Sequence, residues 1–385
     1  MRILWHSTSP ICRTGYGNIT RALITKLRDA GHLVRIGTKH GDKNWHTWND
    51  FEIFEAIDTV YVNQMLQQEG FDYIFTMWDI WLMYEKRPYP RKKWVAYVPV
   101  DTEWISPQLV SVTQQAGMTI AMSEHGLREL QGAGIYTHYA PLGIDTKTFR
   151  PDAAGRQDFR GHFGWGDDIF LIGSVGLNYK DDRKGFIPLM MAFKEFHRRH
   201  PNARLYIHSL ANERSVMADC VIYHEMAAHL GIDSLLAWPN QSDYVLGRID
   251  EEQLCNIYNG FDVFCLSTKG EGFGMPLIEA QACGVPIITT ATTTGPELVG
   301  PGWLIDVDPL DDKAFLMHKG WRLEPRPSQV LVKLEEAYAA WQGGAWGELK
   351  AKSVENAARF DWDIVWPKYW LPILAEMEKR LDEKP

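Results

Sequence analysis

The chain has 385 residues, a length that suggests two domains. Hydrophobic residues make up 45% of it and charged residues 23%, which is typical of a globular protein. Residues 1–150 hold 16 basic and 15 acidic side chains, so the formal net charge of −9 arises in the rest of the chain, a distribution that argues against a general nucleic-acid binder. The five cysteines lack CxxC spacing, which argues against a disulfide framework or metal site and favours thiols in a reducing compartment.

The first predicted strand, Arg2–Trp5, leads into a loop that contains Gly15 and Gly17. Apolar residues then recur at helical spacing, so we expect a helix with Asn18 as its N-cap and Gly31 at its end. The loop therefore follows the C-terminal end of a strand, where parallel sheets bind ligands. A Gly-x-Gly pair alone is a weak signal and favours a structural turn.

Continuous apolar runs predict further buried strands in the first domain. They are Leu33–Thr38, Tyr73–Thr76, Trp94–Val100 and Met118–Ser123. Asp79, after the second of these, is either a cleft residue or a helix cap. Asp101 projects from the C-terminal edge of the third strand and is the leading candidate site residue of this domain, with a capping role as the alternative. Ser123 is expected to cap the next helix, and His125 is assigned no catalytic role.

A basic, proline-containing loop covers residues 86–93. It is predicted to be a solvated connection, and the alternative is a contact with an acidic acceptor or a membrane surface. No uninterrupted apolar run is long enough to span a bilayer, and no signal peptide is visible. The sequence therefore predicts a cytoplasmic protein.

The second domain is expected to begin with a new strand, Ile169–Val175, after a boundary segment over residues 152–168. A loop over residues 176–185 follows this strand and contains Arg183 and Lys184. A helix comes next. By composition alone this loop is an ordinary charged connection.

The most informative stretch is Ser267–Thr290. A buried strand, Asp262–Leu266, leads into a glycine loop, and a helix is predicted to open at Pro276, a residue suited to the first helical position. Backbone N–H groups and the dipole at such a helix N-terminus favour an anion. Glu271 lies on the loop and Glu279 is expected in the first turn of the helix. On the residue pattern alone, an ordinary turn between strand and helix is an alternative.

The same stretch closely resembles EGFGxPxxEAxACGxPVI, the signature of the retaining, nucleotide-sugar-dependent glycosyltransferases of family 4. Residues 139–151 resemble that family's PxGVDxxxFxP segment, and Lys184 with Gly185 match the second half of its GRL…KG motif. Leu177 stands where this motif usually has arginine, which is a departure from the family. The resemblance covers essentially the whole chain and is strongest in residues 240–310.

The resemblance implies an α/β protein of the GT-B fold. Such a protein has two Rossmann-like, doubly wound domains that face each other across a cleft, and a C-terminal helix that crosses back to the first domain. On this basis residues 1–150 form the acceptor-side domain and residues 151–168 a linker. Residues 169–358 form the nucleotide-sugar-binding domain, and residues 359–385 form the returning helix.

The resemblance also implies roles for individual residues. Lys184, with Arg183 in place of the missing arginine, would neutralise the donor diphosphate, and Glu271 would hold the hydroxyls of the donor sugar. Glu279 would accept hydrogen bonds from the ribose hydroxyls, although the helix dipole also favours a carboxylate there. The predicted catalytic residues are therefore Lys184, Arg183, Glu271 and, in the first domain, Asp101. The other predicted donor-binding residues are Gly15, Gly17, Gly176, Phe273, Gly274 and Met275.

The implied reaction moves a hexosyl or related unit from a nucleotide-diphosphate sugar to an unidentified acceptor hydroxyl, with retention of configuration and without a metal ion or other cofactor. The expected partners are this donor and its acceptor, with peripheral membrane contact open and the oligomeric state undefined. An NDP-sugar epimerase of the same fold is one alternative. A non-catalytic nucleotide-sugar-binding module is another, favoured only by Leu177. A phosphorylase would need a pyridoxal-phosphate lysine site, for which no signature is visible.

Overall fold

The computed structural model describes residues 1–38, 46–56, 59–79, 89–179, 181–211, 220–316 and 320–383, except for the side chains of residues 59, 60, 315 and 316. The chain divides into two compact units. The first comprises Met1–Gly143, Leu316–Gly320 and Trp362–Pro385, and the second comprises Ile144–Phe315 and Trp321–Asp361. Residues 86–88 of the predicted basic loop lie outside the described residues, and Arg91–Lys93 form a 3-10 turn.

The N-terminal part of the first unit alternates strands and helices. Its elements are β1 (Arg2–Ser7), α1 (Gly15–Asp29), β2 (Leu33–Thr38), β3 (His46–Trp48), β4 (Phe51–Glu55), α2 (Thr59–Gln68), β5 (Tyr73–Met77), β6 (Trp94–Val98), α3 (Pro107–Thr113), β7 (Met118–Ala121), α4 (Glu124–Gly132) and β8 (Thr137–Tyr139). Ser123 accepts a hydrogen bond from the Gly126 N–H (3.0 Å) and caps α4, as the sequence predicts.

These strands form one sheet in the order β3-β4-β2-β1-β5-β6-β7-β8. Every neighbouring pair is parallel except β3 and β4. The residues of β5, β6 and β7 are buried throughout, because helices cover both faces of a parallel sheet, and this explains their continuous apolar runs. The strand order reverses between β1 and β5, which is where doubly wound sheets bind ligands.

The second unit repeats this plan. Its elements are α5 (Ala153–Phe163), β9 (Phe170–Val175), α6 (Phe186–Arg199), β10 (Ala203–His208), α7 (Tyr223–Leu230), β11 (Leu236–Ala237), α8 (Gln241–Val245), α9 (Glu251–Gly260), β12 (Val263–Leu266), α10 (Met275–Ala282), β13 (Ile287–Thr290), α11 (Gly295–Leu298), β14 (Trp303–Ile305), α12 (Pro327–Gln342) and α13 (Trp346–Ala358). A two-stranded sheet, β15 (Lys313–Leu316) and β16 (Gly320–Leu323), follows β14 in sequence.

The main sheet of the second unit has the order β11-β10-β9-β12-β13-β14, and all of its neighbouring pairs are parallel. Phe170, Ile172, Phe186, Phe193 and Val263 are buried in the core on one face of this sheet. From β9 the chain proceeds to β10 and β11 on one side, and it then crosses to β12, β13 and β14 on the other. The switch point of this sheet therefore lies between β9 and β12.

The segment 151–168, predicted to be a linker, contains helix α5 and belongs to the second unit. Asp152 caps α5, and two arginines of this helix anchor it to the start of β12. Arg156 lies 2.8 Å from the carboxylate of Asp262, and Arg160 pairs with the same buried carboxylate. The boundary between the units therefore lies at Gly143, before the predicted linker.

The C-terminal segment, α14 (Trp362–Val365), a π-helical turn over residues 366–370 and α15 (Leu371–Asp382), belongs to the first unit, as the predicted fold requires. Trp370 is fully buried there, with its ring 5.1 Å from that of Tyr97. The Tyr73 hydroxyl donates a hydrogen bond to the Met377 carbonyl oxygen (2.9 Å). Within the described ranges, no helix has both the length and the apolar character needed to cross a membrane.

Candidate active site

The loops after β9 and β12 lie side by side at the switch point of the second sheet, because these two strands are parallel neighbours. Several hydrogen bonds join the loops, and two of them go to backbone carbonyl oxygens of the first loop at its end. The Ser267 hydroxyl donates to the Gly185 carbonyl oxygen (2.5 Å), and the Lys269 N–H donates to that of Arg183 (2.8 Å). A Cβ at Gly185 would overlap the Ser267 carbonyl oxygen, and the φ of +71° also favours glycine there. The sequence thus allows the two loops to make close backbone contact.

This contact brings together Arg183, Lys184, Thr268 and Glu271, which we call the switch-point cluster. The Lys184 ammonium donates to both carboxylate oxygens of Glu271, at 2.7 and 2.9 Å, and the Thr268 hydroxyl donates to one of them at 2.9 Å. Arg183 lies 3.4 Å from the same carboxylate and donates to the Gly270 carbonyl oxygen at 2.8 Å. The predicted catalytic residues of the second domain therefore lie in one cluster of contacts.

The electrostatics of the cluster follow from its burial, since Lys184 and Glu271 are 7% and 5% exposed. Burial alone would raise the pKa of Glu271, but the charges of Lys184 and Arg183 and the hydrogen bonds to the carboxylate outweigh it and lower the pKa to about 2. Glu271 is therefore ionised at neutral pH. With two cations and one anion, the charged part of the cluster is net positive.

Helix α10 begins at Met275, directly beside the cluster in sequence. Gly274 is its N-cap, in a left-handed conformation (φ +102°). Pro276 has no N–H and the Leu277 N–H donates to the Gly274 carbonyl oxygen at 2.9 Å, so in the first turn it is the Met275 N–H that has no acceptor within the helix. Phe273, before the cap, is buried against the ring of Phe360 at 5.6 Å. The loop and helix N-terminus thus have the geometry of an anion-binding turn.

The expected position of Glu279 in the first helical turn is wrong, because α10 starts one residue before Pro276 and its first turn holds no acidic residue. The dipole effect fades after the first turn, so it does not explain this carboxylate. Glu279 instead accepts a hydrogen bond from the buried Tyr258 hydroxyl (2.7 Å). Burial raises the pKa of Glu279 to about 7, although the Tyr258 hydrogen bond acts in the opposite direction.

Gly176 and Leu177 lie at the start of the first of the two loops. A Cβ at Gly176 would lie 2.9 Å from Cγ of Lys184, so a glycine here leaves room for the lysine side chain. Leu177 is half-buried. The family's arginine is absent at Leu177, and Arg183 brings a guanidinium to Glu271 from the other end of the loop.

Sequence reasoning missed several residues that position the cluster. The Asp182 carboxylate accepts hydrogen bonds from the Phe186 N–H (3.0 Å) and the Tyr223 hydroxyl (2.8 Å), which fixes the loop at the start of α6, and burial raises its pKa to about 6. The Thr293 hydroxyl accepts from the Glu271 N–H at 3.0 Å, and Thr293 has a φ of +46°, which is unfavourable for a β-branched residue. The side-chain types alone do not reveal either contact.

The remaining predicted site residues, Gly15, Gly17 and Asp101, lie in the first unit. Thr14, not Asn18, caps α1, because its hydroxyl accepts the Gly17 N–H at 3.2 Å. A Cβ at Gly17 would overlap the Cys12 carbonyl oxygen, whereas one at Gly15 would meet no atom within 4 Å. Asp101 is half-buried and follows β6.

One further contact crosses the switch point of the first sheet. Tyr16, at the start of α1, donates from its hydroxyl to the carboxylate of Asp79 at 2.7 Å. Asp79 follows β5 and Tyr16 follows the loop after β1, and these are the two strands between which the order reverses. Asp79 thus lies at the edge of the sheet where doubly wound folds bind ligands, and residues 80–88, which would show whether it caps a helix, lie outside the described residues.

Comparisons with known proteins agree with this architecture. Residues 169–317 match the family model described as glycosyl transferases group 1. Mannosylfructose-phosphate synthase of Agrobacterium fabrum is 28% identical over 190 residues, which are 48% of this chain and 38% of that protein. Phosphatidyl-myo-inositol mannosyltransferase of Mycobacterium tuberculosis is 27% identical over 255 residues, 64% of this chain and 56% of that protein. The chain thus aligns with about half the length of these curated relatives.

Solved structures share the fold over nearly the whole chain. Sucrose-phosphate synthase from Thermosynechococcus elongatus superposes with a TM-score of 0.73 at 18% identity, over 99% of this chain and 98% of that one. The Anabaena protein Alr3699/HepE, in complex with UDP-glucose, superposes with a TM-score of 0.71 at 15% identity. The superposition covers 97% of this chain and 100% of the Anabaena chain. The second unit thus matches the glycosyl transferases group 1 over residues 169–317, and the chain as a whole shares the GT-B fold of these solved structures.

Proposed function

We propose that the protein transfers a hexosyl unit from a nucleotide-diphosphate sugar to an acceptor hydroxyl with retention of the anomeric configuration. The observation that carries this proposal is the switch-point cluster. It places two cations and the N-terminus of α10 at the edge where a doubly wound sheet binds nucleotides.

The chemistry of this transfer explains why such a site needs positive charge. When the glycosidic bond to the diphosphate breaks, negative charge grows on the leaving group while the sugar becomes oxocarbenium-like. Fixed positive groups aimed at that charge lower the barrier, because they need no reorganisation during the reaction. Lys184, Arg183 and the N–H groups around Gly274 serve this purpose, and in this proposal they do so without a metal ion.

Glu271 is assigned to the hydroxyls of the donor sugar. A carboxylate whose pKa is about 2 is a weak base, so Glu271 is poorly suited to general-base catalysis at neutral pH. In this proposal the acceptor attacks on the face from which the diphosphate leaves, with the leaving phosphate as base. Glu279 is assigned to the ribose hydroxyls.

The names of the relatives support the substrate class. A phosphatidylinositol monomannoside mannosyltransferase that is 29% identical over 178 residues is described as GDP-mannose-dependent. A protein with the same fold was solved with UDP-glucose bound. Both donors are nucleotide-diphosphate sugars, which is the class that the positive cluster suits.

The proposal is tested by incubating the full chain with GDP-mannose, UDP-glucose, UDP-galactose and UDP-GlcNAc, each with and without a chelator. We expect slow hydrolysis of one donor without acceptor, unchanged by the chelator. Glu271→Ala and Lys184→Ala should each lower this turnover about a hundredfold or more, the scale of losing one preorganised electrostatic contact. Near-normal turnover in both variants would contradict the site assignment. Recovery of an epimerised sugar would indicate an epimerase, and donor binding without turnover after acceptors are supplied would indicate a binding module.

A further inference from the structure

Arg183 and Lys184 are neighbours in sequence, and both reach the carboxylate of Glu271. In an extended segment consecutive side chains point to opposite faces, so the backbone here departs from that geometry. The residues on either side of the pair, Asp182 and Gly185, have left-handed conformations, with φ of +46° and +71°. Asp182 is thus a strained residue next to the cluster, and strain of this kind concentrates at ligand-binding sites.

The guanidinium of Arg183 is held on two sides. On one side it lies over the ring of Tyr179, with 5.4 Å between Cζ and the ring centroid, which is the geometry of a cation–π contact. On the other side it donates to the Gly270 carbonyl oxygen at 2.8 Å and lies 3.4 Å from Glu271. The side chain is 18% exposed, so it is not sealed from solvent. The position of the cation is therefore fixed by a ring of its own loop and by the second loop.

The backbone of Arg183 is supported by the carboxylate of Asp181. One oxygen of this carboxylate accepts a hydrogen bond from the Arg183 N–H at 3.2 Å. The other pairs at 3.0 Å with Arg322, whose side chain is 3% exposed. The Lys269 ammonium donates to the Asp181 carbonyl oxygen at 2.7 Å and pairs with Glu324 at 2.8 Å. These contacts lie within the second unit and tie the loop of Arg183 to two other segments of the chain.

We propose that Tyr179 and Asp181 are positioning residues that hold Arg183 for contact with the diphosphate of the donor. Leu177 supplies no charge, so Arg183 is the arginine that this loop offers to the donor. A long arginine side chain loses rotamer entropy when it is ordered by a ligand. A side chain that the protein has already ordered does not incur this cost on binding, and it needs no reorganisation as charge grows on the leaving group. This inference rests on the proposed function, because it concerns how the proposed site binds the diphosphate.

The experiment compares nucleoside diphosphates with their nucleosides. Calorimetric titration of the full chain measures the affinity for UDP and GDP, and displacement titrations measure the affinity for uridine and guanosine. The variants are Tyr179→Leu, Tyr179→Phe, Asp181→Ala and Asp181→Asn, each alone and combined with Arg183→Gln. Tyr369→Leu is the matched control, since Tyr369 also has a cation over its ring, Nζ of Lys368 at 4.9 Å, but belongs to the first unit.

We expect one of the two diphosphates to bind. Tyr179→Leu and Asp181→Ala should each weaken its binding roughly threefold to tenfold, the scale of one cation–π contact or charge-assisted hydrogen bond, and should leave the affinity for the nucleoside unchanged. Tyr179→Phe and Asp181→Asn keep the ring and the acceptor oxygen, so they should bind nearly as the parent does, as should Tyr369→Leu. Combined with Arg183→Gln, none of these changes should have a further effect, which distinguishes positioning of Arg183 from general support of the fold.

Three outcomes would overturn the inference. The first is an equal loss of nucleoside and diphosphate binding in Tyr179→Leu, since the ring would then contact the base. The second is an equal loss in Tyr179→Phe and Tyr179→Leu, and the third is an effect that persists with Arg183→Gln. Tyr179 is 36% exposed, so Tyr179→Leu is expected to fold and is decisive if Asp181→Ala does not.

The same titrations separate this inference from the proposed function. A parent protein that binds neither diphosphate contradicts both. A parent that binds one diphosphate and hydrolyses the corresponding donor, together with unchanged binding in Tyr179→Leu and Asp181→Ala, contradicts only the positioning role.

Discussion

Lys184 and Glu271 form a buried ion pair, so each side chain depends on the other for compensation of its charge. Taking a charge out of water costs several kcal/mol, and the partner and the surrounding hydrogen bonds offset that cost only while both are present. Arg183 makes the arrangement asymmetric, because it offers Glu271 a second cation at 3.4 Å. The two residues should therefore respond differently to replacement.

We expect Glu271→Gln to lower the free energy of unfolding by about 3–5 kcal/mol, since it leaves two cations next to each other without an anion. Lys184→Met should cost less, because Arg183 still compensates Glu271. Urea denaturation measures both. Lys352→Met is the matched control, as Lys352 pairs with Glu348 on the surface with more than half of both side chains exposed, and it should leave stability nearly unchanged. Equal effects at Lys184 and Lys352 would contradict the buried character of the pair.

Glu279 should make the stability of the protein depend on pH. Its pKa is raised from 4.5 to about 7 by burial, so between these values the folded protein holds a proton that the unfolded chain has released. Its contribution is therefore complete below pH 4.5 and is lost as the pH rises through 7, a difference of about 3 kcal/mol. Glu279→Gln removes this titration. We expect the variant to match the parent at pH 4.5 and to exceed it at pH 8, and equal pH profiles in urea denaturation would contradict the assignment.

At the scale of elements, the site depends on close contact between two strand-to-helix loops. Gly185 lies at that contact, with a left-handed backbone and no space for a Cβ beside Ser267. Gly164, at the end of α5, has a similar φ of +67° but meets no atom within 4 Å of an added Cβ. Replacing each glycine by alanine therefore separates two losses of stability. The loss at Gly164 comes from the left-handed backbone alone, and the loss at Gly185 also includes the clash between the added Cβ and Ser267.

We expect Gly164→Ala to destabilise the protein by about 1 kcal/mol, the cost of a left-handed backbone with a side chain. Gly185→Ala should cost clearly more and should also weaken donor binding, because the loops must separate and move Lys184. Urea denaturation and calorimetric titration with the donor measure the two effects. If both variants lose the same stability and bind donor equally well, the loop contact is not important for the site.

The strands were largely predictable from the sequence, because burial on both faces produces continuous apolar runs such as those of β6 and β12. The strands β3 and β4 were not predicted, because β3 has only three residues and because Glu52 and Glu55 interrupt the apolar run of β4. The first residue of α1 was misplaced because Thr14 and Asn18 are both capping residues, and only the geometry selects between them. Helix α5 was missed because its anchors reach a carboxylate about a hundred residues away.

At the scale of the whole molecule, the family signature predicted the fold and most of the cluster. Lys184 and Glu271 are 87 residues apart in sequence, and the adjacency of β9 and β12 brings them together. The identity of the acceptor is the part of the function that the sequence pattern left open.

The first unit is built from separate segments of the chain, so a fragment that contains only its N-terminal segment should not fold cooperatively. Residues 1–143 alone lack Trp370 and Met377, which are fully buried in the complete unit. We expect this fragment to show no cooperative unfolding transition, and a peptide of residues 362–383 to restore one when added. Residues 144–361 should fold without that peptide, since only five residues of that range belong to the first unit. A cooperative transition in the 1–143 fragment alone would contradict this expectation.

The same discontinuity sets an order of events during synthesis. The 218 residues from 144 to 361 must be translated before the segment that completes the first unit appears. At roughly 5–20 residues per second this takes on the order of ten to forty seconds. During that time the apolar surface of β5 and β6 that will cover Trp370 stays exposed. We therefore expect the second unit to complete its core before the first unit does.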